Sequence, residues 1–168
     1  MLPFLDIPLE HLAIFGDLRQ LGPIRRNNNP GDEKWLAVGL ALNLLRKSPD
    51  RRVLLITPFR NQADLLRKLV QAYLSSYSQV RAGTVHVCQG QEADLVIFDP
   101  VDPLHSWLMG RLGKKEIERV LCVAFSRART HLVVLGKREE IQGSPLLGPL
   151  CLNAMEQPVK QHSGNPWL

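Results

Sequence analysis

The chain of 168 residues contains no G-x-x-x-x-G-K-[ST], so it has no candidate for the backbone cradle and lysine that hold the β- and γ-phosphates of a nucleotide. It also lacks an apolar run ending in an Asp-Glu pair. Asp32-Glu33 follows Pro30-Gly31 and reads as loop chemistry. Cysteine is scarce: Cys88, Cys122 and Cys151 show no C-x-x-C spacing, which argues against a disulfide framework or a zinc site and for reduced thiols. His11, His105, His131 and His162 show no metal-ligand spacing either, so no metal site is expected. The start Met1-Leu2-Pro3-Phe4-Leu5-Asp6 has neither the basic head nor the apolar run of a signal peptide, and no run of about 18 apolar residues suggests a membrane span. The expectation is an intracellular protein, cytoplasmic or nuclear, without membrane contact.

What is present suits one compact domain. A content of 45% hydrophobic and 22% charged residues is ordinary for a globular chain able to bury a core. The net charge of +5 is unevenly placed, with six basic and six acidic side chains in residues 1–50 and fifteen against ten in residues 51–168. Such an excess favours a polyanionic partner, and surface lysines kept for solubility account for it nearly as well.

Hydrophobic periodicity predicts alternating strands and helices. Residues 11–15 are a short apolar strand closed by Gly16-Asp17, and Asn27-Asn28-Asn29-Pro30-Gly31 marks a linker. Leu36, Leu40, Leu44 and Leu45 predict a helix over 32–47, residues 51–57 a buried strand, and Ala63, Leu66, Leu69, Val70 and Tyr73 a second helix over 61–73. Strands are expected at 80–87 and 94–99, a helix at 114–127, and a last strand at 130–136. Strands separated by helices call for a parallel sheet covered on both faces.

The most informative stretch runs from Gly83 to Asp99, where Cys88-Gln89-Gly90-Gln91-Glu92 forms a polar, glycine-bearing turn between two strand-like segments. The turn is expected at the sheet edge where α/β folds place ligands. It joins Gly16-Asp17-Leu18-Arg19-Gln20-Leu21, Ile56-Thr57-Pro58-Phe59-Arg60-Asn61-Gln62 and Val123-Ala124-Phe125-Ser126-Arg127-Ala128-Arg129. In chain order these resemble motifs III, IV, V and VI of superfamily 1 helicases, in the branch of the nonsense-decay and replication-associated DNA/RNA helicases. The resemblance covers roughly residues 10 to 137. It implies an α/β, RecA-like, P-loop-NTPase-type parallel sheet flanked by helices, without its own Walker A motif.

The resemblance implies residues 1–31 as a remnant of the first-lobe strand with motif III and the interlobe hinge and 32–143 as the second RecA-like domain, while rising Pro, Gly and polar content after Gly143 predicts 144–168 as a loosely ordered extension. It makes Arg127 the arginine finger aimed at the γ-phosphate, Arg60 a nucleotide-phosphate contact, and Gln20 the γ-phosphate sensor. Glu92 is matched to the acid that approaches the ribose, with Gly90 letting the backbone come close, and Thr84 to a contact with the nucleic-acid backbone.

Plainer readings stand beside these. Arg60 could cap a helix, Arg127 and Arg129 could be solvated at a helix end, and Glu92 could be an ordinary acid of a helix N-terminus. His86 suits stacking on a nucleic-acid strand or packing in the protein. The chain departs from the family at Gly22, where a second proline is common, and at Val87-Cys88, where a polar or basic residue and an aromatic are often found.

The resemblance therefore implies the second motor lobe of an ATP-dependent DNA/RNA helicase or translocase. ATP with Mg2+ would be used only with a complementing, Walker-bearing first lobe in cis or in trans, and the partner would be single-stranded DNA or RNA. The rival is a non-enzymatic, helicase-derived module that binds nucleic acid or a protein.

Overall fold

The structure, a computed structural model, describes residues 11–16, 32–102, 104–105, 113–152 and 155–158. Six strands, β1 (His11–Gly16), β2 (Val53–Thr57), β3 (Val80–Thr84), β4 (Ala93–Phe98), β5 (Ala128–Leu135) and β6 (Met155–Pro158), form one sheet in the order β3-β2-β4-β5-β1-β6. Every pairing is parallel. Among the described residues four helices connect them: α1 (Asp32–Lys47), α2 (Arg60–Tyr73), α3 (Lys114–Phe125) and α4 (Arg138–Gly143).

Strand alternation divides the core in two, because successive side chains point to opposite faces. Val53, Leu55, Leu95, Ile97, Val133 and Leu135 meet α1 and α2 on one face. Their neighbours Leu54, Ile56, Val96, Phe98, Leu132 and Val134 meet α3 and α4 on the other. Apolar runs such as Val53-Leu54-Leu55-Ile56 are buried throughout for that reason.

The helices bury narrower faces than leucine spacing alone suggests. In α1 the buried positions include Ala37, Val38, Ala41 and Leu45, while Leu40 and Leu44 are only partly covered. Small side chains there let the helix approach the sheet closely. In α2, Ala63 and Leu66 are buried but Tyr73 is exposed. Helix α3 buries Ile117, Leu121, Ala124 and Phe125, at the spacing of one helical face. Phe125 packs edge-on against Phe98, with ring centroids 5.1 Å apart.

Several expectations change. Residues 11–16 were expected as a first-lobe remnant, yet β1 pairs with β5 in this same sheet. Residues 144–152 are not a loose tail, since Ser144, Leu146, Leu147 and Leu150 are buried and a 3-10 turn spans Gly148–Leu152. The strand β5 is followed by β6, so it is not the last. Strand β3 stops at Thr84, and residues 85–92 return to the start of β4 through consecutive turns that bury Val85 and Cys88. The hinge at 19–31, with Gln20, lies outside the described residues. Among the described residues no helix is long and apolar enough to cross a membrane, and no group of three or more His, Cys, Asp or Glu is placed to hold a metal ion.

Candidate functional site

A parallel sheet has two distinct edges, one where the strands begin and one where they end. The Gln-Gly-Gln-Glu turn was expected at the end of the strands, but it leads directly into β4 at Ala93 and therefore lies at the beginning. Arg127 is there as well, because it precedes Ala128, the register partner of Ala93. The amide of Ala93 donates to the Arg127 carbonyl at 2.9 Å.

Glu92 and Arg129 form an ion pair at this amino edge. Arg129 Nη2 lies 2.9 Å and Nε 3.0 Å from the same carboxylate oxygen, Oε2. The other oxygen of Glu92 is left available on a half-exposed side chain. A register irregularity brings the pair together. Ala93 pairs with Ala128 but Leu95 pairs with His131, so β5 carries one extra residue between them. Such bulges re-aim side chains. Thr130 secures the irregularity by donating from Oγ1 to the Asp94 carbonyl at 2.6 Å.

Arg127 is held by the end of α3, where unpaired carbonyls concentrate negative charge. Its Nε donates to the Val123 carbonyl at 2.9 Å and its Nη2 to Ser126 Oγ at 3.3 Å. These bonds fix the guanidinium while using two of its five N–H donors. The rest are available to a ligand.

Asp94 organises the next strand. Its carboxylate accepts from the Arg52 amide at 2.9 Å and from Arg51 Nη1 at 3.1 Å. Burial acts to raise the Asp94 carboxyl, but the Arg52 amide, with help from Arg51 and Arg129, holds it below its ordinary value. Cys88 is pushed the other way by burial, against the nearby charges of Arg67 and Arg81, which keeps the thiol protonated and unreactive.

The opposite, carboxyl edge carries Thr57, Arg60 and Thr84. Thr57 and Thr84 are register partners at the ends of β2 and β3. Arg60 begins α2 and is exposed. The helix has no side-chain N-cap and no acid in its first turn, leaving its first amides free for an anion. The chain order reverses here, with β2 flanked by β3 and β4, and crevices at such reversals commonly receive ligands. Behind this surface Gln62 donates from Nε2 to Asp99 Oδ2 at 2.5 Å, with both side chains buried. Asp99 Oδ1 accepts from the amide of Val101, whose φ of +64° is strained for a β-branched residue. Gln62 Oε1 has no hydrogen-bond partner among the described residues.

The sheet thus separates residues that the sequence analysis grouped. Gly90, Glu92 and Arg127 come together at the amino edge, but Arg60 lies at the other, roughly 17 Å of strand away. Arg60 cannot join them on one nucleotide phosphate within this chain, which corrects that grouping. His86 is exposed in the turn after Thr84. Arg129, Asp94, Gln62 and Asp99 were not recognised as site residues. Only the motif spacing of Gln62 carried any signal, since the other three depend on strand register.

A family model described as an AAA domain matches residues 23–139, well over half of the chain. Similar proteins include Helicase sen1 of Schizosaccharomyces pombe, 33% identical over 132 residues that span 75% of this chain and 8% of that protein. DNA polymerase alpha-associated DNA helicase A of Saccharomyces cerevisiae is 35% identical over 94 residues, 56% of this chain and 13% of that protein. NFX1-type zinc finger-containing protein 1 of Homo sapiens is 30% identical over 95 residues, 56% of this chain and 5% of that protein. The chain thus spans a small fraction of the length of each relative. Among solved structures, the C-terminal domain of a possible DNA helicase from Lactobacillus plantarum WCFS1 aligns with a TM-score of 0.48 and 15% identity, over 90% of this chain and 85% of that one. From the family match, the motif order and the parallel sheet, the chain belongs to the AAA-domain family and is a helicase-type motor domain, the second RecA-like lobe of the superfamily 1 kind.

Proposed function

We propose that this lobe serves a DNA or RNA helicase or translocase by dividing two tasks between the edges of its sheet. The amino edge faces the nucleotide held by a Walker-bearing first lobe. The carboxyl edge contacts the backbone of a single nucleic-acid strand. The observation that carries this reading is the joint placement of Glu92, Arg127 and Gly90 at one edge and of Thr84, Arg60 and the uncapped start of α2 at the other.

The donor set suits ATP with Mg2+, which when bound supplies the γ-phosphoryl group to be transferred. Arg129 occupies one oxygen of Glu92 and leaves the other for ribose hydroxyls. Gly90, at φ +80° with open space where a side chain would stand, lets a ligand approach the backbone. Arg127, anchored through Nε, directs its remaining N–H groups to the charge that develops in phosphoryl transfer. Magnesium ligation and phosphate cradling belong to the first lobe.

The chain alone is therefore expected to release no phosphate from ATP above buffer, with or without single-stranded nucleic acid. Joined to a Walker-bearing first lobe, it should restore turnover. Robust hydrolysis by the isolated, highly purified chain that disappears in Arg127→Ala would overturn the division between lobes.

A further inference from the structure

The amino edge holds a second polar group, on the far side of Glu92 from Arg127. Arg52, Gln79, Arg81, Gly90, Gln91 and Glu92 are among the residues that line a cleft of about 520 Å³, a size that admits a small ligand. The cleft lies where β2 and β3 begin and the 85–92 turn enters β4.

Arg81 pairs in register with Leu54, two residues after Arg52, so the two arginines start as diagonal neighbours, about 7–8 Å apart on adjoining strands. Like charges so close repel each other unless an anion lies between them. The carboxylates of this edge neutralise other arginines, Glu92 pairing with Arg129 through one of its oxygens and Asp94 with Arg51. Among the described residues neither Arg52 nor Arg81 makes an ion pair. Apart from Glu92 the remaining walls are uncharged, part polar and part apolar from Val53, Leu54 and Ala93, and Gln79 is already turned to the Pro49 carbonyl. Beside them Gly90 leaves its backbone open to approach.

We propose that this cleft binds a phosphate group, gripped by the guanidinium forks of Arg52 and Arg81. The planar fork matches phosphate oxygens in pairs, and a concave polar wall with two like charges focuses the field on an anion. The phosphate comes either from a small polyphosphate or from the backbone of a nucleic-acid strand passing this edge. The site stands independently of the role given to Arg127.

Inorganic pyrophosphate titrated into the 168-residue chain, followed by amide NMR, is expected to shift residues 78–81 and 90–92. Arg52→Gln and Arg81→Gln should each weaken its binding about five- to tenfold, whereas Lys115→Gln, an exposed change at the start of α3, should leave it unchanged. Both arginines are exposed, so the variants should melt like the parent, and the shift map of the unaltered chain needs no variant. A short single-stranded oligonucleotide that displaces pyrophosphate identifies a backbone phosphate as the ligand. One that binds without displacing it leaves the cleft to small polyphosphates. Parental affinity in both glutamine variants, or shifts confined to the residues around Arg127, would overturn the site.

Discussion

At the amino edge of the sheet, arginines meet carboxylates on the surface. Glu92 and Arg129 are both about half exposed, and Arg51 reaches Asp94 from solvent. At the carboxyl edge the only described ion-capable contact behind Arg60 is buried, where Asp99 and Gln62 are 1% and 2% exposed. Exposed pairs contribute about 0–1 kcal/mol to stability and rearrange easily. A buried carboxylate held by an amide and a backbone N–H supports the surrounding structure, because breaking it leaves a polar group without water. The amino edge is thus built to exchange partners with a ligand, while the carboxyl edge presents a fixed surface.

The largest test of this contrast is Arg127. In a two-lobe enzyme, Arg127→Ala should lower turnover by about 10³-fold or more while altering ground-state nucleotide binding less. Arg127→Lys should rescue poorly because an ammonium lacks the planar fork. Arg129→Ala should act more mildly, since it frees Glu92 without removing it. Near-normal steady-state ATPase in a well-folded Arg127→Ala enzyme would remove the residue from catalysis.

Next in size is the buried pair. Asp99→Ala should destabilise the chain by about 1–3 kcal/mol, because the Gln62 amide and the Val101 N–H lose their acceptor. Val101 would then have no reason to keep its strained backbone. Urea unfolding measures the loss, and a change below a few tenths of a kcal/mol would contradict the fixed-surface account.

A smaller effect separates the edges by ligand. Arg60→Gln should weaken single-stranded nucleic-acid binding a few-fold and reduce the salt dependence by about one phosphate contact, leaving nucleotide affinity intact. Fluorescence anisotropy across a salt series reports both. If Arg60→Gln instead impairs nucleotide binding, the division of tasks between the edges fails.

The smallest effect concerns Asp94. Its carboxyl titrates below the ordinary value in the folded state, so its contribution is present at neutral pH and disappears as pH falls through the folded value. Asp94→Asn should cost at most about 1 kcal/mol at pH 7, given the exposure of Arg51. The difference from the parent should vanish once the pH has fallen through the folded value. A difference that persists in acid would assign the effect to packing.

Much of the architecture was legible in composition and periodicity. Apolar runs at 53–57 and 94–99 demanded strands covered on both faces, and the repeats at 32–47, 61–73 and 114–127 demanded helices, because burial enforces periods of two and of 3.6 residues. The motif spacing also marked Glu92, Arg60 and Arg127 as notable. Other features depended on the tertiary structure. Local pattern does not say at which end of a strand a turn emerges, so Arg60 and Arg127 seemed to share a site until the parallel sheet put them at opposite edges. Nor does it reveal a register irregularity, which alone turns Arg129 onto Glu92. Leu146, Leu147 and Leu150 lie in a Pro- and Gly-rich stretch with no clear period, and they joined the core only because β4, β5 and α3 leave apolar surface for them to cover. The sequence alone determined which segments must be buried, since that follows from each residue's own hydrophobicity. The tertiary structure decided which polar groups meet, since that depends on strand order and register set by residues 27 or more positions apart.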